Sequence, residues 1–587
     1  MNPLVAAMGC FALYFVGYRF YSKFLAGRIF RLDANRETPA HTLRDEIDYV
    51  PTNRFVLFGH HYASITGLAP MLGPAVAVIW GWLPAMLWVV LGAVLVGCVH
   101  DFSALVVSMR AKGQSIGKVA DGVIGPRAKM LFLALIFFGV ALAMGVFVFI
   151  IAKLFQAGAD FDPNNLAAAT TSFPSAVLPS GSLMVLAMVM GYLLYKRKFP
   201  LVPTTLVGFV LMLISVWLGM QYPTLGLDRS SWPGQTGWTW ILLGYSFLAS
   251  VLPVWSLLQA RDFLNSLLLY LGLLAAYGGF FVLGPTFAAP AINAHPEGAP
   301  PLFPFVFIII ACGAASGFHS LVASGTTAKQ IDRETDARFV AYGGMIGESL
   351  LGLLAVLACT AGFETDGAWQ AAYADWGTIQ AGLANKLGAF IHGSSRFIAA
   401  LGVSRDLATA FLAVVVVSFA LTTLDSATRL LRFNISEIGA SVRLKFLSNR
   451  YLASGLAIAA IAFFAFYKID GKPAGLALWT LFGTINQLLA GLTLLVATLY
   501  LHQRGRNALY TGLPMVFMLV STFAALLRKL SDFWKNDQTL LLVVGCVLLL
   551  LAIGVIIEGV RSFLRGERHT DEAITFVDEP LSPGAGP

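Results

Sequence analysis

Charge is what this sequence lacks most. Asp, Glu, Lys and Arg together make up 12% of 587 residues, about half of the roughly 25% usual in a soluble domain. A water-facing surface over most of the chain is thereby excluded. Cysteine is scarce too. The five present (Cys10, Cys98, Cys312, Cys359, Cys546) are odd in number and scattered through apolar stretches, which argues against a disulfide framework or a cysteine-rich metal site. No Walker A sequence, dinucleotide glycine fingerprint or His-Glu-x-x-His occurs, so ATP-driven transport is not indicated, no cofactor is implied and the chain is not read as an enzyme. The first apolar run, Leu4–Ala26, lacks a basic leader and a small-residue cleavage site; it reads as a retained helix.

What is abundant is hydrophobicity. Apolar residues supply 57% of the chain, and the mean hydropathy is +0.76. Stretches such as Met130–Ile151 and Leu540–Ile557 are nearly free of charge and long enough to cross a hydrocarbon core of about 30 Å as helix. The chain is predicted to be an all-α integral membrane protein with about 15 spans, from 3–26 to 538–561. Segment 378–404 is expected to be an external amphipathic or re-entrant piece rather than a span. The net charge of +8 does not imply nucleic acid, because the basic residues sit in short loops between apolar runs. Arg28, Arg31, Arg36 and Arg44 share one side with Lys196, Arg197 and Lys198, whereas loop 157–180 carries Asp160 and Asp162 and no basic residue. The positive-inside rule then puts the N-terminus outside and the C-terminus in the cytoplasm. The polar tail 566–587, ending in Pro and Gly, is expected to be disordered.

Two segments depart from plain spans. Gly59, Gly67, Pro70, Gly73 and Pro74 interrupt 54–80, and Gly313, Gly317 and Gly325 interrupt 303–330. Both contain His-x4-[Ser/Thr]-Gly, from His61 to Gly67 and from His319 to Gly325. They lie seven spans apart and so cross in opposite directions. This predicts an inverted-repeat transporter bundle with two discontinuous helices around the binding site: 1–53 as an extra N-terminal helix and basic loop, 54–300 as the first repeat and 301–565 as the second. In lipid an irregular backbone survives only where protein or a watery cavity satisfies it. Broken ends also offer N–H groups to an anion. Substrate is expected at His60, His61, Ser64, Thr66, Gly67, His319, Ser320, Ser324 and Gly325.

Ionisable groups within spans are costly and mark function or pairing. Asp101, Glu348 and Asp425 are candidates for proton coupling or gating. By sequence proximity Asp101 is expected to pair with Arg110, and Asp425 with Arg429 four residues on; Glu348 has no cation at helical spacing. Asn486 and Gln487 read as interhelical hydrogen-bonding amides, and Trp80, Trp82 and Trp88 as an interface belt. A competing reading is a membrane-embedded metalloprotein using His60, His61, His100, Asp101 and His319, though the spacings match no standard site. A passive channel is a third.

Five stretches together resemble the carbon starvation protein A (CstA) family: Asp48–Pro70, His100–Phe102, Cys312–Gln330, Leu421–Arg429 and Leu478–Gly491. The resemblance implies an inner-membrane secondary transporter of the amino acid–polyamine–organocation superfamily. It also implies proton-coupled uptake of peptides or pyruvate when carbon is scarce, and a small soluble companion protein for some members. Thr480 departs from the proline of the family's Trp-Pro-x-Phe-Gly pattern, and the chain is shorter than the longest members.

Overall fold

The computed structural model describes residues 2–158, 172–377, 383–469, 472–473, 479–566, 568–569 and 573–574. Apart from a two-residue antiparallel pairing of Lys468–Ile469 with Lys472–Pro473, its regular structure is helical. Eleven helices are long and apolar enough to cross a membrane, and a bent pair makes up to 12. The chain is a multi-pass membrane protein.

The helices are α1 (Pro3–Ile29), α2 (Arg54–Ile65) with α3 (Ala69–Trp80), α4 (Trp82–Arg110), α5 (Pro126–Phe155), α6 (Pro174–Lys196) and α7 (Leu201–Gln221). Then come α8 (Gln235–Val251), α9 (Leu258–Leu283), α10 (Leu302–Ile309), α11 (Gly317–Gly325) and α12 (Glu334–Ala361). The remainder are α13 (Leu383–Ala399), α14 (Arg405–Ser441), α15 (Arg450–Phe466), α16 (Trp479–Gln503), α17 (Leu509–Lys535) and α18 (Thr539–Arg565). The difference from the expected 15 spans falls on three places. Helices α8 and α15 have 17 residues each, and segment 303–325 is divided between the short helices α10 and α11.

Burial separates an inner from an outer set. The most apolar window of α16 is 94% buried and that of α14 89%, against 22% for α18 and 28% for α1 and α7. Side chains such as Leu564, Leu274 and Val202 on α18, α9 and α7 remain exposed, as a lipid-facing surface requires.

Both irregular segments are broken. α2 and α3 meet at a bend of 48° across Thr66–Leu68. α10 and α11 are separated by residues 310–316, where Gly313 takes φ +88°, a left-handed backbone that costs glycine nothing. The breaks are held by close packing. A Cβ on Gly67 would stand 2.6 Å from Thr423 Oγ1 of α14, and one on Gly317 2.3 Å from the Asn486 carbonyl of α16.

Three expectations need correction or placement. Trp80, Trp82 and Trp88 are buried and do not form an interface belt. Trp80 donates to the Pro300 carbonyl, Trp88 to that of Ile310, and Trp82 stacks on Phe287. Segment 378–404 contains the helix α13, which lies against α9 and α12: a Cβ on Gly279 would collide with the Phe397 carbonyl, and Gly393 meets the backbone of Ala358. Most of 566–587, much of loop 157–180, and the Thr480 side chain lie outside the described residues.

Candidate functional site

The broken helices bring the two histidine segments together. His61 Nδ1 on α2 is 2.9 Å from Thr327 Oγ1, just past α11. The ring also lies against Gly344 of α12, where a Cβ would come within 2.9 Å of its Cδ2. His61 Nε2 near the end of α2 and Thr66 Oγ1 in the α2–α3 break are buried and have no hydrogen-bond partner among the described residues. Such groups are uncommon in folded proteins and call for a cause. Around them α14 closes the break, with Thr422 donating to the Ala63 carbonyl at 3.2 Å.

One side of His61 is an ionic network. His60 Nδ1 is 2.7 Å from Asp262 Oδ2, and Ser64 donates to that oxygen at 3.0 Å. Arg261 donates from Nε and Nη2 to Asp262 Oδ1 at 3.0 and 2.6 Å. Its Nη1 reaches the Tyr245 hydroxyl at 2.8 Å and also meets Asp425. Tyr245 in turn bonds to Asp425. Four helices, α2, α8, α9 and α14, are thereby joined through buried charge. Each charge has an opposite partner, without which burial costs several kcal/mol.

The second cluster is centred on His319, the first-turn histidine of α11. Its Nδ1 is 2.8 Å from Asp101 Oδ2, while Asp101 Oδ1 is 2.7 Å from His100 Nδ1. On the other side His319 Nε2 is 3.1 Å from Glu348 Oε2. That contact is electrostatic and off the hydrogen-bonding direction, because neither Glu348 oxygen has a hydrogen-bond partner. Asn486 caps α11, accepting from the Phe318 amide at 2.9 Å, and Gln487 donates to the Phe307 carbonyl of α10 at 2.8 Å. The two amides do bond between helices, and both bonds go to the broken segment.

Several expected pairings are replaced. Asp101 does not meet Arg110, which instead holds Glu334 at 2.8 Å and the Phe30 carbonyl at 2.7 Å. Asp425 does not pair with Arg429; Arg429 reaches Asp48 Oδ1 at 3.2 Å. Glu348, with no cation at helical spacing, meets the His319 imidazole of another helix at 3.1 Å. In each case a partner comes from another part of the chain, although Asp101 also keeps His100 of its own helix.

Ser320, Ser324 and Gly325 stand differently from His61. Ser320 donates to the Gly317 carbonyl and takes a contact of 3.0 Å from Thr493; Ser324 donates to Ser320 and accepts from the Ile116 amide. Gly325 is the last residue of α11, where carbonyls rather than amides are free. The shared motif thus sits before the break in the first segment and after it in the second. Sequence reasoning missed Arg261, Asp262, Tyr245 and Thr327. Arg261 and Asp262 had a signal, an adjacent opposite pair at the edge of an apolar run, but α9 begins at Leu258 and carries both into the interior.

Beside the site, the chain before α2 is tied to the chain after α11. Thr52 N donates to the Gln330 carbonyl at 3.1 Å, Gln259 bonds to Thr52 and to Gln330, and Asp48 holds Arg429. Burial pushes the Asp48 carboxyl up, but Lys329, Arg429 and Arg432 around it outweigh that and hold it below the usual carboxylate range.

Comparison with known proteins agrees with a multi-pass membrane protein. The model of the family "Carbon starvation protein CstA" matches residues 2–372 and 371–525. The "Peptide transporter CstA" of Helicobacter pylori is 33% identical over 92% of this chain and 83% of its own. The "Pyruvate/proton symporter BtsT" of Escherichia coli is 36% identical over 61% of this chain and 49% of its own. Among solved structures, a variant of a manganese transporter of Eremococcus coleocola aligns with 89% of this chain and 99% of its own at 12% identity, with a TM-score of 0.42. With the family model spanning nearly all of the long helices, the chain belongs to the carbon starvation protein CstA family.

Proposed function

We propose that this protein is a secondary active transporter that imports peptides or pyruvate across the bacterial inner membrane together with protons. Its relatives carry those activities in their names. The observation that carries the site is the pair of unpartnered buried groups, His61 Nε2 and Thr66 Oγ1, in the break of α2–α3. Thr327 engages His61 Nδ1, which leaves Nε2 free to donate to a ligand when it bears the proton. Pyruvate and peptides share a carboxylate. The His61 imidazole, the Thr66 hydroxyl and the first amides of α3 near Gly67 form a donor set for that group.

The coupling proton is assigned to His60. Its Nδ1 is on Asp262 and its Nε2 has no hydrogen-bond partner among the described residues, so a ring nitrogen is left to take up a proton. Asp262 stays fixed by Arg261. Asp425, through Arg261 and Tyr245, and Asp101 with Glu348, through His319, act as gating contacts between helices. Ser64 bonds to Asp262 and lies 3.3 Å from Ser426, which joins α2 to α9 and α14 beside the substrate groups.

The basic loops support an external N-terminus. Counting α8, α15 and the α10–α11 pair as crossings gives about 15 spans, in two inverted repeats over 54–300 and 301–565, which is the arrangement expected to put two broken helices together. Labelled pyruvate and dipeptide uptake into proteoliposomes tests the site. Loss of uptake in correctly inserted His61→Ala and His319→Ala is expected; unchanged uptake in both contradicts it.

A further inference from the structure

Cys312, His319 and Glu348 offer a sulfur, a ring nitrogen and a carboxylate oxygen that all lie within 4.8 Å of one another, and all three residues are buried. They come from three places: the α10–α11 break, the first turn of α11 and the middle of α12. Neither oxygen of Glu348 nor Nε2 of His319 has a hydrogen-bond partner among the described residues. Burying a carboxylate is costly unless an opposite charge or ligand faces it, and a cation between the three groups supplies that charge.

The surrounding residues orient these groups as ligands. His319 Nδ1 is held by Asp101, which His100 holds in turn. A carboxylate on one ring nitrogen fixes the imidazole and turns the other nitrogen outward as a stronger ligand. Cys312 Sγ donates to Ser316 Oγ at 3.2 Å and accepts from Asn486 Nδ2 at 3.5 Å; the second contact is the one that can steady a thiolate. A bare His319–Glu348 ion pair leaves the sulfur without a role; a metal uses all three.

We propose that these residues form a binding site for a zinc-class transition-metal ion. Sulfur with nitrogen and oxygen selects this class over magnesium or calcium, which take oxygen ligands. Binding displaces the thiol proton of Cys312 to solvent as the sulfur–metal bond forms, with His319 neutral and Glu348 ionised. Three protein ligands leave a fourth position for water or another donor. Such an ion clamps the α10–α11 break to α12 and so restrains one of the two discontinuous helices. The site shares His319 and Glu348 with the gating contacts proposed above and no residue with the His61–Thr66 or His60–Asp262 groups, so metal binding by the purified chain tests it apart from uptake.

The test is metal binding by the purified full chain, stripped with a chelator and titrated with Co2+ and Zn2+. One ion per chain is expected, with a sulfur-to-cobalt charge-transfer band in the wild type. The band should vanish in Cys312→Ser, and Asp101→Asn should bind about 10–100-fold more weakly. No stoichiometric ion, or an ion without the sulfur band, overturns the site using wild-type protein alone. An unchanged band and affinity in folded Cys312→Ser also overturns it.

Discussion

His60 Nδ1 lies 2.7 Å from Asp262 Oδ2, a contact between residues 202 positions apart with both side chains fully buried. It ties the first broken helix to α9. Through Arg261 the same carboxylate is connected to Asp425 on α14, so His60 stands at a junction of three helices.

Replacing His60 with Gln keeps a polar side chain but removes the imidazole to which the coupling proton is assigned. Uptake driven by an inward proton gradient should be lost, while exchange of labelled for unlabelled substrate at equal pH persists. Proteoliposomes measure both. Gradient-driven accumulation at the wild-type rate would place the coupling proton elsewhere.

Removing one member of a buried ion pair strands the other, at a cost of about 3–5 kcal/mol. Asp262→Asn is therefore expected to lower the melting temperature in detergent sharply. Asp332→Asn, whose side chain is 41% exposed, should change it little. Equal melting of the two variants contradicts the buried network.

At the substrate groups, Thr66→Val deletes a hydroxyl at nearly constant volume. A hydrogen bond to a charged group contributes about 1.5–3 kcal/mol, so KM should rise about tenfold or more with insertion unaffected. An unchanged KM removes Thr66 from the site.

The sequence carried the class of fold and the position of both breaks, because hydropathy and interrupting glycines and prolines are local signals. Partners were not local. Glu348 looked solitary because its neighbour His319 is on another helix, and Asp101, 218 positions from His319, was matched to the nearer Arg110. The two His-x4-[Ser/Thr]-Gly motifs shared a spacing, yet one precedes its break and the other follows. Spacing does not say on which side of a break a helix stops. The tryptophans were misread for a related reason: composition places them near span ends but cannot tell lipid from a neighbouring helix.

Gly317 tests the packing of the second break. An added Cβ meets the Asn486 carbonyl at 2.3 Å and the Ala490 amide nitrogen at 2.6 Å, backbone atoms that cannot rotate away. Gly317→Ala should cost about 1–3 kcal/mol, whereas Gly455→Ala, with open space around it, should cost none. Thermal melts compare them.

The Asp48 carboxyl is held below its ordinary value of 3.8. Its contribution to stability is therefore complete above that value and is lost as pH falls through the lower native value. The melting-temperature gap between wild type and Asp48→Asn should be constant from neutral to mildly acidic pH and narrow only below about pH 4. A gap that closes between pH 6 and 7 contradicts the ion pair with Arg429.

The most direct measurement is transport by the purified chain in proteoliposomes under an imposed inward proton gradient, with labelled pyruvate and labelled dipeptide as substrates. Accumulation of at least one above the outside concentration is expected, collapsing with a protonophore and absent in His61→Ala. Flux that is non-saturating and indifferent to the gradient, or full accumulation in His61→Ala, would contradict proton-coupled transport at the broken helices.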